Sequence, residues 1–555
     1  MRTDRRGFLG LVAGTVGALA LPARAQDVSA VRTLEIHRIT RNTRAGAIGR
    51  RLSSWGSAPP PAKEYPGAAR VALPAVAAGT SRSLAATVRG FAPAAGFRGR
   101  EIALATLARL LHHTNGVTGE LVGEGGAVPL RAAPSAGALY AGEVYLAAER
   151  VEGLAPGLYH FAVLERALVR LREGPALGQV AGALEEPDRV QGAAFVVLHS
   201  NVFARYGARY GNRGYRYALI DTGHIAENLR LAAAAEGFGE AGFTRFHDER
   251  LDSLLGLDGH AEAVCFVSAV GVPADSSESR AARRLVEKDS RAGLAPGRSV
   301  LGYHQGTRLV WSTGEPGDPA EVALSVEPAG IASSDPQLGA TRDPLPSRAD
   351  PSVSVEAAIR ARRSPLVFLP EAIDAADLAF VLALARGETR LERAPGVELF
   401  AIVHRVRGVA PGLYASDGRR LALRRAGDLR DALTEACLGQ DKAGLVAAAL
   451  LMVARPAQAA ARAGPRAYRD LLVESGAIGQ RIYLAAESIG LAARNLAAFR
   501  DDDLEPLLGF GPDGRAVLHL TLLGHDASDL AAGARKSPRP TVAGPGNRGG
   551  PRWRR

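Results

Sequence analysis

The chain has 555 residues, of which 47% are hydrophobic and 23% charged, proportions ordinary for a soluble globular protein of about two to four domains. Its formal net charge of +11 sits at the ends. Arg2, Arg5, Arg6 and Arg24 face a single acid, Asp4, in the first 25 residues, and six arginines and a lysine lie beyond Gly533 with no acid. The body is therefore close to neutral, which argues against a surface built to neutralise many nucleic-acid phosphates.

In chain order, residues 1–25 read as a targeting segment. Arg5-Arg6-Gly7-Phe8-Leu9 is a twin-arginine pattern, a short apolar stretch follows, and Ala23-Arg24-Ala25 fits a cleavage site. The implied location is periplasmic or otherwise extracytoplasmic, reached already folded. The periodicity predicts an amphipathic helix over Glu101–His113, with Ile102, Leu107, Leu110 and Leu111 on one side and a His112-His113 pair whose charge suits the helix end. Arg131–Tyr145 places a rigid turn, Pro134-Ser135-Ala136-Gly137, before an amphipathic strand. Glu143–Ala148, Phe195–His199 and Val264–Val270 read as strands, and Tyr217–Glu236 as a long helix apolar on most of its circumference. Residues 273–300 are charged and read as a linker; residues 328–351 read as an irregular insertion. Asp374–Arg386 is a second amphipathic helix with Asp374 as its N-cap and Gly387 after its end. The Pro/Gly/Arg-rich tail reads as a solvated, disordered end. Cys265 and Cys437 lie in apolar patterns and read as buried thiols. Strands and helices alternate without a repeated βαβ unit, which predicts an α+β fold.

Several segments carry a resemblance when taken together. Pro134-Ser135-Ala136-Gly137-Ala138-Leu139-Tyr140 resembles the flavin-contact turn of the nitroreductase superfamily, in its SagB/ThcOx-type dehydrogenase branch. Ser81-Arg82-Ser83 resembles the family's phosphate-binding Arg-Ser element, and Pro156-Gly157-Leu158-Tyr159-His160 resembles its hairpin. Arg209–Tyr217, leading into Ala218–Leu229, is similar to the start of its long central helix. Ile36–Arg41 and Trp55–Gly67 fall in the family's order upstream. The match is good over about residues 35–272 and weaker over about 300–525.

The weaker stretch is a second copy. Gly157-Leu158-Tyr159 recurs as Gly412-Leu413-Tyr414, Tyr215-Arg216 as Tyr468-Arg469, and Leu254-Leu255-Gly256 as Leu507-Leu508-Gly509. Pairing Arg82-Ser83 with Arg363-Ser364 predicts that about 26 residues, including the Asn115-Gly116-Val117 region and the Pro-Ser-Ala-Gly turn, are missing from the second copy. The expected organisation is a signal over 1–25, a first nitroreductase-like domain over 26–272, a linker over 273–300, a degenerate second domain over 301–530 and a tail over 531–555. The two domains would form an internal pseudo-dimer in a monomeric chain.

The resemblance implies FMN as cofactor, with Arg362, Arg363 and Ser364 of the second half on the phosphate and Pro134, Ser135, Ala136 and Gly137 of the first half on the ring. Arg82 and Ser83 would form the reciprocal phosphate site without a partner turn. Arg213 and Arg216 would line the cleft or cap the helix. Arg209-Tyr210 stands where the branch often carries Lys-Tyr, implicated in proton removal from an azoline; a guanidinium cannot act as that base, while the Tyr210 hydroxyl can still relay a proton. No metal ligand set is expected, His224 reads as a satisfied buried histidine, and no nucleic-acid partner is expected. The expected function is an exported FMN-dependent oxidoreductase acting on a small heterocycle, a peptide-derived azoline, a nitroaromatic or a quinone. The alternatives are a flavin- or ligand-binding protein without turnover and an accessory subunit of a peptide-modifying complex.

Overall fold

The computed structural model describes residues 25–44, 57–76, 82–123, 126–274, 285–287, 300, 304–305, 307–311, 343–387, 396–510 and 514–527. The twin-arginine segment up to Arg24, Trp55, Ser81 and the tail beyond Ala527 lie outside the described residues. The fold is α+β, and its two halves repeat one plan. In the first, antiparallel strands run in the order Arg70–Ala72, Ala167–Glu173, Gly157–Ala162, Gly142–Ala148, Phe195–Val202, Glu262–Gly271, Gly239–Phe243. In the second, Asp343–Pro344, Arg420–Ala426, Gly412–Ser416, Glu398–Val403, Ala448–Ala454 and Ala516–Asp526 follow the same order, and both Ala492–Asn495 and Phe368–Leu369 pair with the last of them.

The strand Gly142–Ala148 is buried on both faces rather than one. Val144 and Leu146 pack with Val197 under Leu107, Leu111, Ile225 and Leu229, while Tyr145 and Ala147 pack with Leu198 under Leu177 and Val180. The first amphipathic helix runs over Leu104–Asn115, because Ile102–Ala103 pairs in parallel with Val151–Glu152 before the helix begins. Its counterpart is Ala375–Arg386. Asp374 precedes that helix without capping it, since its carboxylate is taken by Arg407 at 2.6 Å. His112 and His113 do not carry the charge expected of them: burial lowers them to about 4 and about 3, so both are neutral at pH 7. Two segments expected to be irregular contribute strands, since Leu285–Glu287 pairs with Leu309–Trp311 and Asp343–Pro344 extends the second sheet.

Each half has one long helix, Arg213–Ala235 and Ala467–Ser488, buried on nearly every side. The first begins at Arg213, where Gly211, in a left-handed conformation, has ended the short helix Phe203–Tyr210. The two long helices cross at Gly223 and Gly476. A methyl on Gly223 would overlap the carbonyl oxygen of Val473, and one on Gly476 that of Ile220, so only hydrogen at both positions lets the backbones touch.

Around this crossing the halves exchange parts. His37 Nδ1 lies 3.2 Å from the Tyr468 hydroxyl, and Arg41 pairs with Glu505 at 2.8 Å. In the reciprocal place the Tyr215 hydroxyl lies 3.1 Å from His304 Nδ1, and Arg308 donates to Asp252 at 2.8 Å. Arg213 and Arg216 hold Asp501 at 2.7 and 2.9 Å, while Arg466 and Arg469 hold Asp248 at 2.6 and 3.2 Å. These are the same positions of the repeat with partners swapped, as across a dimer two-fold axis. Hydrophobic clusters also cross the boundary, with Tyr217, Leu219 and Ile220 packed with Leu471, Leu472 and Val473. Among the described residues no helix is long and apolar enough to cross a membrane.

Gly476→Ala should lower the unfolding free energy by roughly 3 kcal/mol, as overpacking at a rigid contact does. Gly178→Ala, with nothing within 4 Å of an added methyl, should leave it unchanged or raise it; equal effects in thermal melts would contradict the crossing. The exchanged arms also carry a pH signature. Burial lowers His37 to about 4 and holds His304 well below its ordinary 6.5. The folded state therefore binds fewer protons than the unfolded one below about pH 6.5, and these groups cost stability as pH falls through that value. Between about pH 7 and pH 5 the double variant His37→Gln/His304→Gln should lose its denaturation midpoint less steeply than the parent; parallel slopes would show the histidines to be uninvolved.

Candidate functional site

The Pro-Ser-Ala-Gly turn leaves the hairpin formed by Val117–Gly123 and Gly126–Arg131. Gly137, Ala138 and Tyr140 have φ of 63°, 54° and 48°. For the two non-glycine residues this left-handed backbone costs roughly 1–2 kcal/mol each. Hydrogen bonds offset the cost. The Tyr140 N–H donates to Ser135 Oγ at 2.8 Å, and Arg205 donates to the Tyr140 carbonyl at 2.7 Å. Arg205 also meets Glu143 at 2.7 Å and donates to the Pro60 carbonyl at 2.7 Å, while Arg131 donates to the Pro61 carbonyl at 3.1 Å and stacks 4.4 Å over Tyr140. The proline-rich strap upstream thus braces the turn. Beneath it, the Tyr206 hydroxyl meets Ser135 Oγ at 2.6 Å, accepts the Ala136 N–H at 3.2 Å and shares a hydrogen bond with buried Asp221.

Arg209 and Tyr210 lie against the same turn. A methyl on Gly137 would sit 2.5 Å from the Tyr210 hydroxyl and 3.3 Å from Arg209 Nη1. Burial pushes the Tyr210 phenol above its ordinary 10, with Arg209 opposing the shift, so it keeps its proton at neutral pH.

The second half meets this surface with the Arg-Arg-Ser element, which follows the helix Val355–Ala361. Arg362 donates through Nε to the Ala132 carbonyl and through Nη2 to the Arg131 carbonyl, each at 3.0 Å, directly before Pro134. Its guanidinium stacks 5.3 Å from the Tyr483 ring. Arg363 donates to the Thr118 carbonyl in the hairpin at 2.9 Å. Ser364 is exposed, its Oγ 2.7 Å from the Tyr483 hydroxyl, and half-buried Arg494 donates to the neighbouring Pro365 carbonyl at 2.8 Å. The Asn495 N–H donates to the Tyr483 hydroxyl at 2.8 Å, and its side chain meets His224 of the first half. The structure thus brings Pro134–Gly137, Arg209, Tyr210 and Arg362–Ser364 together in one seam. It adds Tyr206, Asp221, Tyr483, Arg494 and Asn495, which the sequence reading missed. Tyr206 lies one helical turn before Tyr210, and that spacing is the signal that could have found it; Tyr483, Arg494 and Asn495 carry no such mark.

Two expectations are corrected. Arg82 and Ser83 are no counterpart of Arg363 and Ser364. Ser83 caps the helix Leu84–Arg89, its Oγ accepting the Ala86 N–H, and bridges Ser354, which caps Val355–Ala361 in the same way. The repeat therefore matches Ser83 to Ser354 and Leu104–Asn115 to Ala375–Arg386, and Phe91-Ala92-Pro93 stands where Arg362-Arg363-Ser364 stand. Since Ala148 still matches Val403, the second half is 16 residues shorter between helix and strand, not about 26. Arg213 does not line the cleft, because Asp501 and the Ala497 carbonyl, the latter at 3.1 Å, take its guanidinium.

The reciprocal seam is filled with charge. Arg230, at the position matching Tyr483, stacks 5.3 Å over Phe91 and pairs with Glu227 at 3.1 Å and Glu240 at 3.3 Å. Arg481 pairs with the same Glu227 at 3.1 Å and with Glu474 at 3.5 Å, and all five side chains are buried. Elsewhere His37, Asp501 and Glu505 come within metal-ligand distance of one another, but Arg213, Arg216 and Arg41 already neutralise the two carboxylates.

The nitroreductase family model matches residues 96–272 and 359–525. A crystal structure of an Anabaena variabilis protein named as a nitroreductase superposes with a TM-score of 0.71 at 23% identity, covering 89% of this chain and 99% of that one. A Methanocaldococcus jannaschii protein carrying the nitroreductase name is 28% identical over 154 residues, which is 28% of this chain and 74% of the relative. A Ralstonia eutropha structure with that name covers 40% of this chain at 21% identity, with a TM-score of 0.32. The chain belongs to the nitroreductase family, whose oxidoreductase fold it carries twice in one polypeptide.

Proposed function

We propose that the chain is an FMN-dependent oxidoreductase with one flavin site per chain, in the seam between the Pro134–Gly137 turn and the Arg362–Ser364 element. The observation that carries this reading is the exposed Ser364 hydroxyl flanked by the guanidinium-bearing Arg363 and Arg494, with the left-handed turn anchored beside it through Arg362. That donor set suits a phosphate dianion. Arg362 commits Nε and Nη2 to backbone carbonyls, so its part is to clamp the turn to the second half; Arg363, held by the Arg360, Arg362 and Thr118 carbonyls, keeps its positive charge beside the phosphate, and Ser364 and Arg494 donate to it. Bound flavin supplies two-electron transfer to and from the substrate.

The chain's own groups favour one direction. Arg209 offers a guanidinium, which has no lone pair to act as a base, and Tyr210 holds its proton. One proton donor, Tyr210, one fixed cation, Arg209, and among the described residues no carboxylate or imidazole against Gly137 suit reduction of an acceptor, a nitroaromatic or a quinone, better than removal of a proton from an azoline. Arg5-Arg6 and Ala23-Arg24-Ala25 support export of the folded, cofactor-loaded chain by the twin-arginine route.

Purified protein titrated with FMN should bind one flavin per chain. Arg363→Ala and Ser364→Ala should each weaken binding by roughly tenfold or more, the scale of a charge-assisted hydrogen bond. Arg82→Ala should leave it unchanged. A colourless protein that takes up no FMN, a stoichiometry of two, or loss of flavin in Arg82→Ala would each overturn the proposal.

A further inference from the structure

Four groups in the seam form one chain of hydrogen bonds. The Tyr140 N–H reaches Ser135 Oγ at 2.8 Å, Ser135 Oγ meets the Tyr206 hydroxyl at 2.6 Å, and the Tyr206 hydroxyl meets Asp221 Oδ2. The Ala136 N–H also donates to Tyr206 at 3.2 Å. Tyr206 is fully buried and Asp221 nearly so, while Ser135 and Gly137 reach the surface of the turn. Each hydroxyl has one proton to give, which fixes the direction of every link once the state of Asp221 is chosen. With Asp221 ionised, Tyr206 donates to it, Ser135 donates to Tyr206, and Ser135 presents a lone pair outward. With Asp221 protonated on Oδ2, Asp221 donates to Tyr206 and Tyr206 donates to Ser135. Both Ser135 lone pairs are then taken, by Tyr206 and the Tyr140 N–H, and its proton is free to point outward.

We infer that Asp221, acting through Tyr206, is a positioning residue that sets whether Ser135 offers a hydrogen-bond donor or an acceptor to the ligand on the turn. The inference rests on the reading that this turn faces a flavin. The titratable groups around Asp221 are phenols: Tyr206 and Tyr210 on the helix Phe203–Tyr210, and Tyr140 beyond the turn. Among the described residues no cation lies within ion-pair distance of it. Burial accordingly pushes Asp221 up to about 8, against the pull of its hydrogen bond to Tyr206 and of the nearby Ser135 hydroxyl. At neutral pH the donor form of Ser135 prevails, suited to a ring that presents carbonyl oxygens or ring-nitrogen lone pairs. A flavin ring has both.

The test has two readouts. In the ligand-free protein, infrared spectroscopy should show a protonated-carboxyl band that titrates near pH 8 in the parent and is missing from Asp221→Asn. FMN titrations from about pH 6 to pH 9 should show affinity falling about tenfold in the parent, the loss of one hydrogen bond. Asp221→Asn, whose amide donates to Tyr206 at every pH, should keep the low-pH affinity throughout. Tyr206→Phe, which cuts the chain, should also be insensitive to pH. A band titrating in the ordinary carboxylate range, or an Asp221→Asn variant with the parent's pH dependence, overturns the inference. A parent protein that binds no FMN at any pH overturns the flavin reading instead, and the infrared titration alone then decides the protonation state of Asp221.

Discussion

The contact of Gly223 with Gly476 is the constraint on which the rest of the molecule depends. Two helices can touch backbone to backbone only where both lack a Cβ, and here each glycine faces the carbonyl of the other helix. The helices it joins are the spine of each half, so their crossing sets the position of one sheet against the other. It also brings polar side chains into reach across the boundary. His224 Nδ1 meets the Gly476 carbonyl, and Gln480 donates to Asn228 at 2.7 Å.

One frame produces two unlike seams. On one side the first half supplies a hairpin and a strained turn, and the second half supplies Arg-Arg-Ser. On the other side the hairpin is deleted and Phe91 stands in place of an arginine. The space is closed by Arg230, Arg481 and three glutamates, which form ion pairs with one another out of water. Burying so many charges is costly unless each is paired. Their mutual arrangement explains how a degenerate copy keeps the fold without keeping a cleft.

The exchanged arms bind the halves in a second way. Arg213 and Arg216 close on Asp501, and Arg466 and Arg469 close on Asp248, so each half carries the arginines and the other the acid. Pairs of this kind add less net stability than their number suggests, but an unpaired member is strongly unfavourable. They therefore select this pairing of the halves over alternatives.

Much of the fold was legible in the sequence, and so were the two segments that meet in the candidate site. The strands around Val196 and Val267 and the helix around Leu229 follow from apolar runs and a 3.6-residue period, which are properties of the local backbone. The repeat was legible where Gly-Leu-Tyr and Tyr-Arg recur. It was misaligned at Arg82-Ser83, because a two-residue likeness outweighed helix register. His112 and His113 were read as charged because burial is invisible in a helix considered alone. By itself, then, the sequence determined the two-copy architecture and singled out Pro134–Gly137 and Arg362–Ser364, the two segments that meet in one seam. Only the tertiary structure decided that Arg362 clamps the Pro134 turn from 230 residues away, that Arg213 belongs to Asp501, and that Asp221 lies beneath Ser135. The reason is physical: a side chain's partners and its exposure to water are set by what packs against it, and here that came from the other half of the chain.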